Sequence, residues 1–174
     1  MTRFRIVPDQ SRVWIDARSN IHPIHSSTDG LEGYVDLDVD PDGTISVDGS
    51  PQGHLSLRVT RLSSGSRLED REMQNRIDAE RYPTIDGVLG EMQPAGRNGT
   101  FRVSGEVTFR GVTQRHEDQM KVSVLDTSTI KLEGASRFNV RDFGMEPPRM
   151  LMLRVEPDVD VRVEIVAMTE DDNA

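Results

Sequence analysis

Four histidines, no cysteine and a methionine-rich run near the end are the residues of this 174-residue chain whose types could do chemistry. His22-Pro23-Ile24-His25 places two imidazoles three apart. On an extended strand such residues lie about 10 Å from one another on opposite faces, so a shared ion would need a turn at Pro23. Imidazole suits zinc, copper, nickel and haem iron, and His54 or His116 could complete a set from other strands. The plainer reading, which we favour, is a connecting loop with solvated or hydrogen-bonded imidazoles.

Met145-Glu146-Pro147-Pro148-Arg149-Met150-Leu151-Met152 could offer soft packing to a ligand or a thioether to a metal, with core filling as the ordinary role. Arg141 next to Asp142 suggests a structural ion pair or, less readily, a ligand contact. Asp38-Val39-Asp40-Pro41-Asp42-Gly43 matches the first half of a calcium loop, but position twelve, which must supply a bidentate Glu, is Gly49. A hairpin accounts for it. The sequence contains no phosphate loop, no Gly-x-Ser-x-Gly elbow, no dinucleotide fingerprint and no His-Glu-x-x-His. Nucleophilic and nucleotide-dependent catalysis are therefore not expected, and no catalytic residue is assigned.

The elements that would position these groups read as strands. Phe101 to Arg110 alternates apolar or Gly at odd positions with polar residues at even ones, and Val159 to Ile165 does the same. His54 to Val59 follows the pattern, and Val13 to Arg18 more weakly. Parity predicts Phe101, Val103, Val107 and Phe109, with Val159, Val161, Val163 and Ile165, on the inward face, and Arg102, Glu106, Asp160, Arg162 and Glu164 outward. Turn chemistry at Pro41-Asp42-Gly43, Asp48-Gly49, Asn98-Gly99 and Gly111 suits an antiparallel meander. One helix is predicted over Arg67 to Ile77, capping an end of the sheet. The acidic tail 169–174 has nothing to bury and is expected to be disordered. The fold class is all-β with a short helix, and alternation leaves a sandwich and a barrel both open.

Acidic residues number 30 against 21 Lys and Arg, a formal net charge of −9, which disfavours nucleic acid and anionic membrane surfaces as partners. No stretch is apolar enough for a stable membrane anchor and the N-terminus has no signal-peptide core, so a single cytoplasmic domain is expected. Apolar residues make up 34% of the chain, lean but sufficient for one core.

Four segments resemble the YceI-like family of polyisoprenoid-binding, lipocalin-like proteins. They are the opening Phe4 to Val13, followed by Gly30-x-x-Gly33-Tyr34; Asp78-Ala79-Glu80-Arg81-Tyr82-Pro83-Thr84-Ile85; Gly105 to Thr113; and Phe138 to Met145. Together they span residues 4 to about 167. Two departures stand out: Glu69-Asp70-Arg71-Glu72-Met73 replaces the family's Arg-Asp-x-His-Leu stretch, and the arginine of the late segment is displaced to Arg141.

The resemblance implies a single antiparallel lipocalin-like barrel of about eight strands over 1–168, with an apolar tunnel for an isoprenoid or other long-chain amphipathic lipid. It implies binding without common catalytic machinery and no cofactor. On this reading Trp14, Phe101, Val103, Val107, Phe109, Met145, Met150 and Met152 would line the ligand, with Arg141 near its head. The partner is a hydrophobic small molecule or lipid, and a homodimer stays open. The alternative is a protein, with or without enzymatic activity, that binds a transition metal or haem through His22 and His25 at the barrel mouth, with His54 and His116 as further candidates.

Overall fold

The computed structural model describes residues 1–170. Its strands are β1 (Thr2–Ile6), β2 (Arg12–Ser19), β3 (Ile24–Thr28), β4 (Leu31–Val39), β5 (Ile45–Ser46), β6 (Gln52–Arg58), β7 (Thr84–Pro94), β8 (Thr100–Phe109), β9 (Val112–Asp126), β10 (Thr129–Asn139), β11 (Arg149–Met150) and β12 (Leu153–Thr169). Eight of them close an antiparallel barrel in the order β1-β4-β6-β7-β8-β9-β10-β12, with β12 returning to β1. Closure removes the free edges that a sandwich of this meander would leave.

The long strand β12 carries two partners on one side. Its residues 167–169 pair with β1 and its residues 155–164 with β2. The step between those two strands is made by the single 3-10 turn Pro8–Gln10. Buried Ser11 fastens it, because its hydroxyl donates to the Val7 carbonyl at 2.8 Å and accepts from the Val166 amide at 3.0 Å. That bond explains the Ser in the opening motif. β2 then turns back into β3, which stands outside the closed ring as a flap continuing into β4.

Two sharp hairpins follow from turn chemistry. Asn98-Gly99 joins β7 to β8 and Arg110-Gly111 joins β8 to β9, and all four residues have positive φ, between 54° and 73°. Arg110-Gly111 has the geometry of a two-residue turn whose twist matches the strands, and Asn98-Gly99 closes a longer loop over 95–99, fastened by the Ala95 amide donating to the Thr100 carbonyl at 3.0 Å. A Cβ at Gly111 would stand 2.7 Å from the Tyr82 ring, so the Tyr-Pro and Gly-Val-Thr segments of the sequence meet in space. Gly33, at φ 139°, would place a Cβ 1.9 Å from the His54 carbonyl oxygen, and only glycine lets β4 bend against β6 there.

The helix α1 (Arg67–Ile77) has the bounds that its periodicity predicts. Ser66 caps it, accepting from the Glu69 amide at 3.3 Å, and Asp78 ends it at φ 59°. Only Ile77 is fully buried, so the helix owes its position to a narrow contact over one end of the barrel.

The alternation of β8 and β12 places the side chains as parity predicts. Phe101, Val103, Val161, Val163 and Ile165 belong to the principal core, and Phe109 packs in a smaller cluster around Val59, Ile77 and Met145. Val107, half-buried, lies on the same face between Gly87 and Gln114. Arg102 pairs with Glu117 on the outside, and Asp160 with Arg137. β12 is longer than its alternation suggests. It starts at Leu153 and passes Pro157 through a bulge between Val155 and Val159, where a missing amide costs no ladder bond. It also runs to Thr169, whose amide donates to Ser128 at 2.8 Å, so the expected disordered tail begins too early at 169; its residues 171–174 lie outside the described residues.

Candidate functional site: an apolar cavity under the helix

The barrel interior is divided. Phe4, Val13, Leu31, Leu37, Phe101, Ile130 and Ile165 fill one end completely, Leu31, Leu37 and Ile130 having no exposed surface. An eight-stranded barrel is just wide enough to be filled by its own side chains in this way. At the other end the filling stops. A slender cavity of about 70 Å³ lies between the inner faces of β2, β3 and β12, the helix α1 and the segment Val140 to Leu153.

Its walls are almost entirely apolar. Ile15 and Ala17 come from β2, Ile24 from β3, Met73 from α1, Val155 and Val159 from β12, and Val140, Met145, Pro147, Pro148, Met150 and Leu153 from the closing segment. Polar groups are confined to Ser26 and three carboxylates, Glu69, Glu72 and Glu156, and no Lys, Arg or His lines it. Glu72 is held by Arg76 one turn away at 3.0 Å, and Glu69 faces His22 at 3.6 Å. No ion pair engages Glu156 among the described residues.

Of the residues singled out from sequence, Met145 and Met150 line this cavity. Others do not reach it. Trp14 points outward, because Val13 and Ile15 on either side face in; its ring lies under Arg162 at 4.1 Å. Three apolar residues in a row hid that parity. Phe101 and Val103 belong to the filled end, Phe109 packs on Phe143 at 5.6 Å, and Val107 lines no part of the cavity. Met152 is 81% exposed at a hairpin tip, and Arg141 lies outside, 3.6 Å from Glu146. Sequence reading missed Ile24, Pro147, Pro148 and Leu153. Ile24 lies within the segment read for its histidines, and Pro147 and Pro148 within the run read for its methionines.

The histidines do not converge. Each meets a different carboxylate: His22 with Glu69, His25 with Asp16 at 2.7 Å, His54 with Asp86 at 3.4 Å and His116 with Asp118 at 3.3 Å. His22 sits in the β2–β3 turn, whereas His25 lies on β3 and points away from the cavity that Ile24 and Ser26 enter. Among the described residues no group of three His, Asp or Glu is arranged to hold an ion. The calcium-like segment is likewise spoken for, Asp38 pairing with the N-terminus and Asp42 with Thr44.

One polar cluster lies inside the barrel. Beyond Met120 and Gly134 the ladder between β9 and β10 stops, and His116, Asp118 and Ser136 fill the gap. Asp118 and Ser136 are hydrogen-bonded to each other, and both approach the same nitrogen, Nε2, of His116. In a nucleophilic triad the imidazole bridges hydroxyl and carboxylate through its two different nitrogens. The cluster therefore lacks that relay and serves to close the wall, with His116 stacked on Phe138 at 4.4 Å.

The YceI-like domain model matches residues 4–167, nearly the whole chain. The chain belongs to the YceI-like domain family. Solved structures agree on the fold. BcnA from Burkholderia cenocepacia is similar over 94% of this chain and 99% of its own, at 16% identity and a TM-score of 0.77. A polyisoprenoid binding domain from Saccharophagus degradans, implicated in plant cell wall breakdown, is similar over 98% and 100%, at 12% identity and a TM-score of 0.76. The YCEI protein of Campylobacter jejuni is similar over 88% of both chains, at 13% identity and a TM-score of 0.66. No curated protein matches the sequence at a significant level.

Proposed function

We propose that this YceI-like barrel is a binding or carrier protein for an isoprenoid or other long-chain amphipathic lipid, held with its tail in the cavity under α1 and its head at the mouth. The observation that carries the reading is the contrast between the two ends of one barrel, the first packed solid and the second left open behind an apolar wall. The polyisoprenoid binding domain from Saccharophagus degradans, which shares the fold, supports the chemical class.

The cavity in this conformation is smaller than the roughly 300–1,000 Å³ of sites for drug-sized ligands. Two of its walls, α1 and the segment Val140 to Leu153, stand outside the closed ring of hydrogen-bonded strands, so they can give way without breaking the barrel ladder. Met73, Met145 and Met150 on those walls are the unbranched, adaptable side chains such repacking needs. Each methylene buried contributes about 0.8 kcal/mol of gross driving force before ordering costs.

Native mass spectrometry of the purified chain, with organic extraction of what it holds, tests the reading. A co-purifying lipid mass is expected. Ala17→Phe, which fills the cavity from β2, should abolish it while the thermal midpoint stays near that of the wild type. A chain that takes up no lipid, with or without added isoprenoid alcohols, would overturn the proposal.

A further inference from the structure

The β11–β12 hairpin beside the cavity mouth breaks the usual chemistry of tight turns. Its tip is Leu151-Met152, with Leu151 106% and Met152 81% exposed, and Leu151 holds φ at 51°. Gly, Asn or Asp normally takes a left-handed position, and a branched apolar side chain there is both strained and fully wetted. Among the described residues nothing covers the two side chains. The tip is nevertheless well held, since the Asn20 side chain donates to the Met152 carbonyl at 2.9 Å.

The exposed apolar surface continues around the mouth. Ile21, 61% exposed, follows Asn20 in the β2–β3 turn, and Leu68, 66% exposed, precedes the cavity-lining Glu69 on α1. Among the described residues, four of the eight exposed large apolar side chains thus gather at the end where the cavity lies. Met150 and Leu153, the next pair down the hairpin, line the cavity itself. On the other face of the hairpin Arg149 stands directly opposite Arg154, and neither is ion-paired among the described residues. Like charges facing across a strand pair repel, so the pair is arranged for an anion from outside.

We propose that this end of the barrel docks reversibly on a lipid bilayer, with Leu151 and Met152 entering the acyl boundary and Arg149 and Arg154 meeting headgroup phosphates. The arrangement, an apolar tip with two guanidiniums on the hairpin face turned away from the cavity and its carboxylates, fits a phosphate-bearing interface better than a protein surface, where two unpaired guanidiniums would have to be buried. The net charge of −9 on the whole chain opposes wider adsorption and keeps the contact local and short-lived. This inference goes beyond lipid carriage and stands without it, because vesicle binding needs no ligand in the cavity.

Co-sedimentation of the full chain with vesicles of equal parts phosphatidylcholine and phosphatidylglycerol at low salt tests the proposal. The wild type should pellet. Leu151→Ser with Met152→Ser should weaken binding by about tenfold or more. Arg149→Gln and Arg154→Gln should each weaken it by about fivefold and flatten its salt dependence. All of these side chains are surface groups, so thermal midpoints should hold; should the double tip variant fail to fold, Ile21→Ser on the neighbouring turn reads the same loss. A wild type that does not pellet, or tip variants that pellet as well as it does, overturns the proposal. So does a dimer in size-exclusion chromatography that the tip variants dissolve while no vesicle binding is seen, which would assign the surface to a second copy of the chain.

Discussion

Asn20 clasps Arg154 from both sides: the Arg154 amide donates to the Asn20 side-chain oxygen at 2.7 Å, and the Asn20 amide donates to the Arg154 carbonyl at 3.1 Å. With the bond from Asn20 to Met152, three contacts tie the β2–β3 turn to the hairpin on the other lip of the mouth. The two lips are thereby a single unit, although more than 130 residues separate them in sequence.

Asn20→Ala should therefore loosen the mouth without touching the filled core. Losing side-chain bonds of this kind costs about 0.5–1.5 kcal/mol each, less where water replaces them. Hydrogen exchange should quicken at Met152 to Val155 and stay slow at Ile130 and Ile165. Equal protection of the two regions in the variant would mean that the clasp does not hold the lips.

Trp14 is the only tryptophan and lies on the outer wall against Arg162. Its fluorescence should respond little to lipid uptake and measurably to Arg162→Ala, which removes the cation from its ring face. The stability cost of Arg162→Ala should be about 0.5–1 kcal/mol, as for exposed cation–π pairs. Strong quenching or a blue shift of the wild type on lipid binding would place the ligand against the outer wall, contrary to the cavity described here.

How much of this could be read beforehand follows from the range of each interaction. The helix Arg67–Ile77, the Asn98-Gly99 hairpin and the inward faces of β8 and β12 are written in neighbouring residues, and they appear where period and turn chemistry put them. The cavity is not local. It exists because β2, β3, α1 and the segment from Val140 leave one end unfilled, and alternation is the same in a filled barrel as in an open one. Hence Phe101 and Val103, inward by parity, lie in the solid end, while Ile24, paired with Ala17 and next to the outward-facing His25 opposite Asp16, lines the open one. The histidines misled for the reverse reason. Their type suggests a metal, but their positions, His22 in a turn and the others on three separate strands, hand each one its own carboxylate.

Arg3 and Asp36 face each other across β1 and β4, with both guanidinium–carboxylate bonds at 2.8 Å. The hydrogen bond from Arg3 holds the Asp36 carboxyl below its ordinary value of 3.8. A carboxyl lowered in the folded state adds stability above its unfolded pKa and loses it as pH falls through the folded one. The stability gap between wild type and Arg3→Gln should thus be full at neutral pH and shrink below about pH 4. Denaturant midpoints measured across that range check it, and a gap that widens on acidification would contradict the sign.

The charge around the cavity should select the head of the ligand. The three charged residues on the cavity wall, Glu69, Glu72 and Glu156, are all acidic, and only Glu72 has a guanidinium partner, Arg76. An anionic head at that mouth would meet like charge beside a low-dielectric wall, where Coulomb repulsion is least screened. With one isoprenoid tail and three heads, the alcohol and the amine should bind more tightly than the monophosphate, by about tenfold, or 1.4 kcal/mol. Glu69→Gln with Glu156→Gln should close most of that gap, while 1 M salt, which shortens the screening length to about 3 Å, should narrow it in the wild type. Tight monophosphate binding that neither the substitutions nor salt alters would show that the head lies away from these carboxylates.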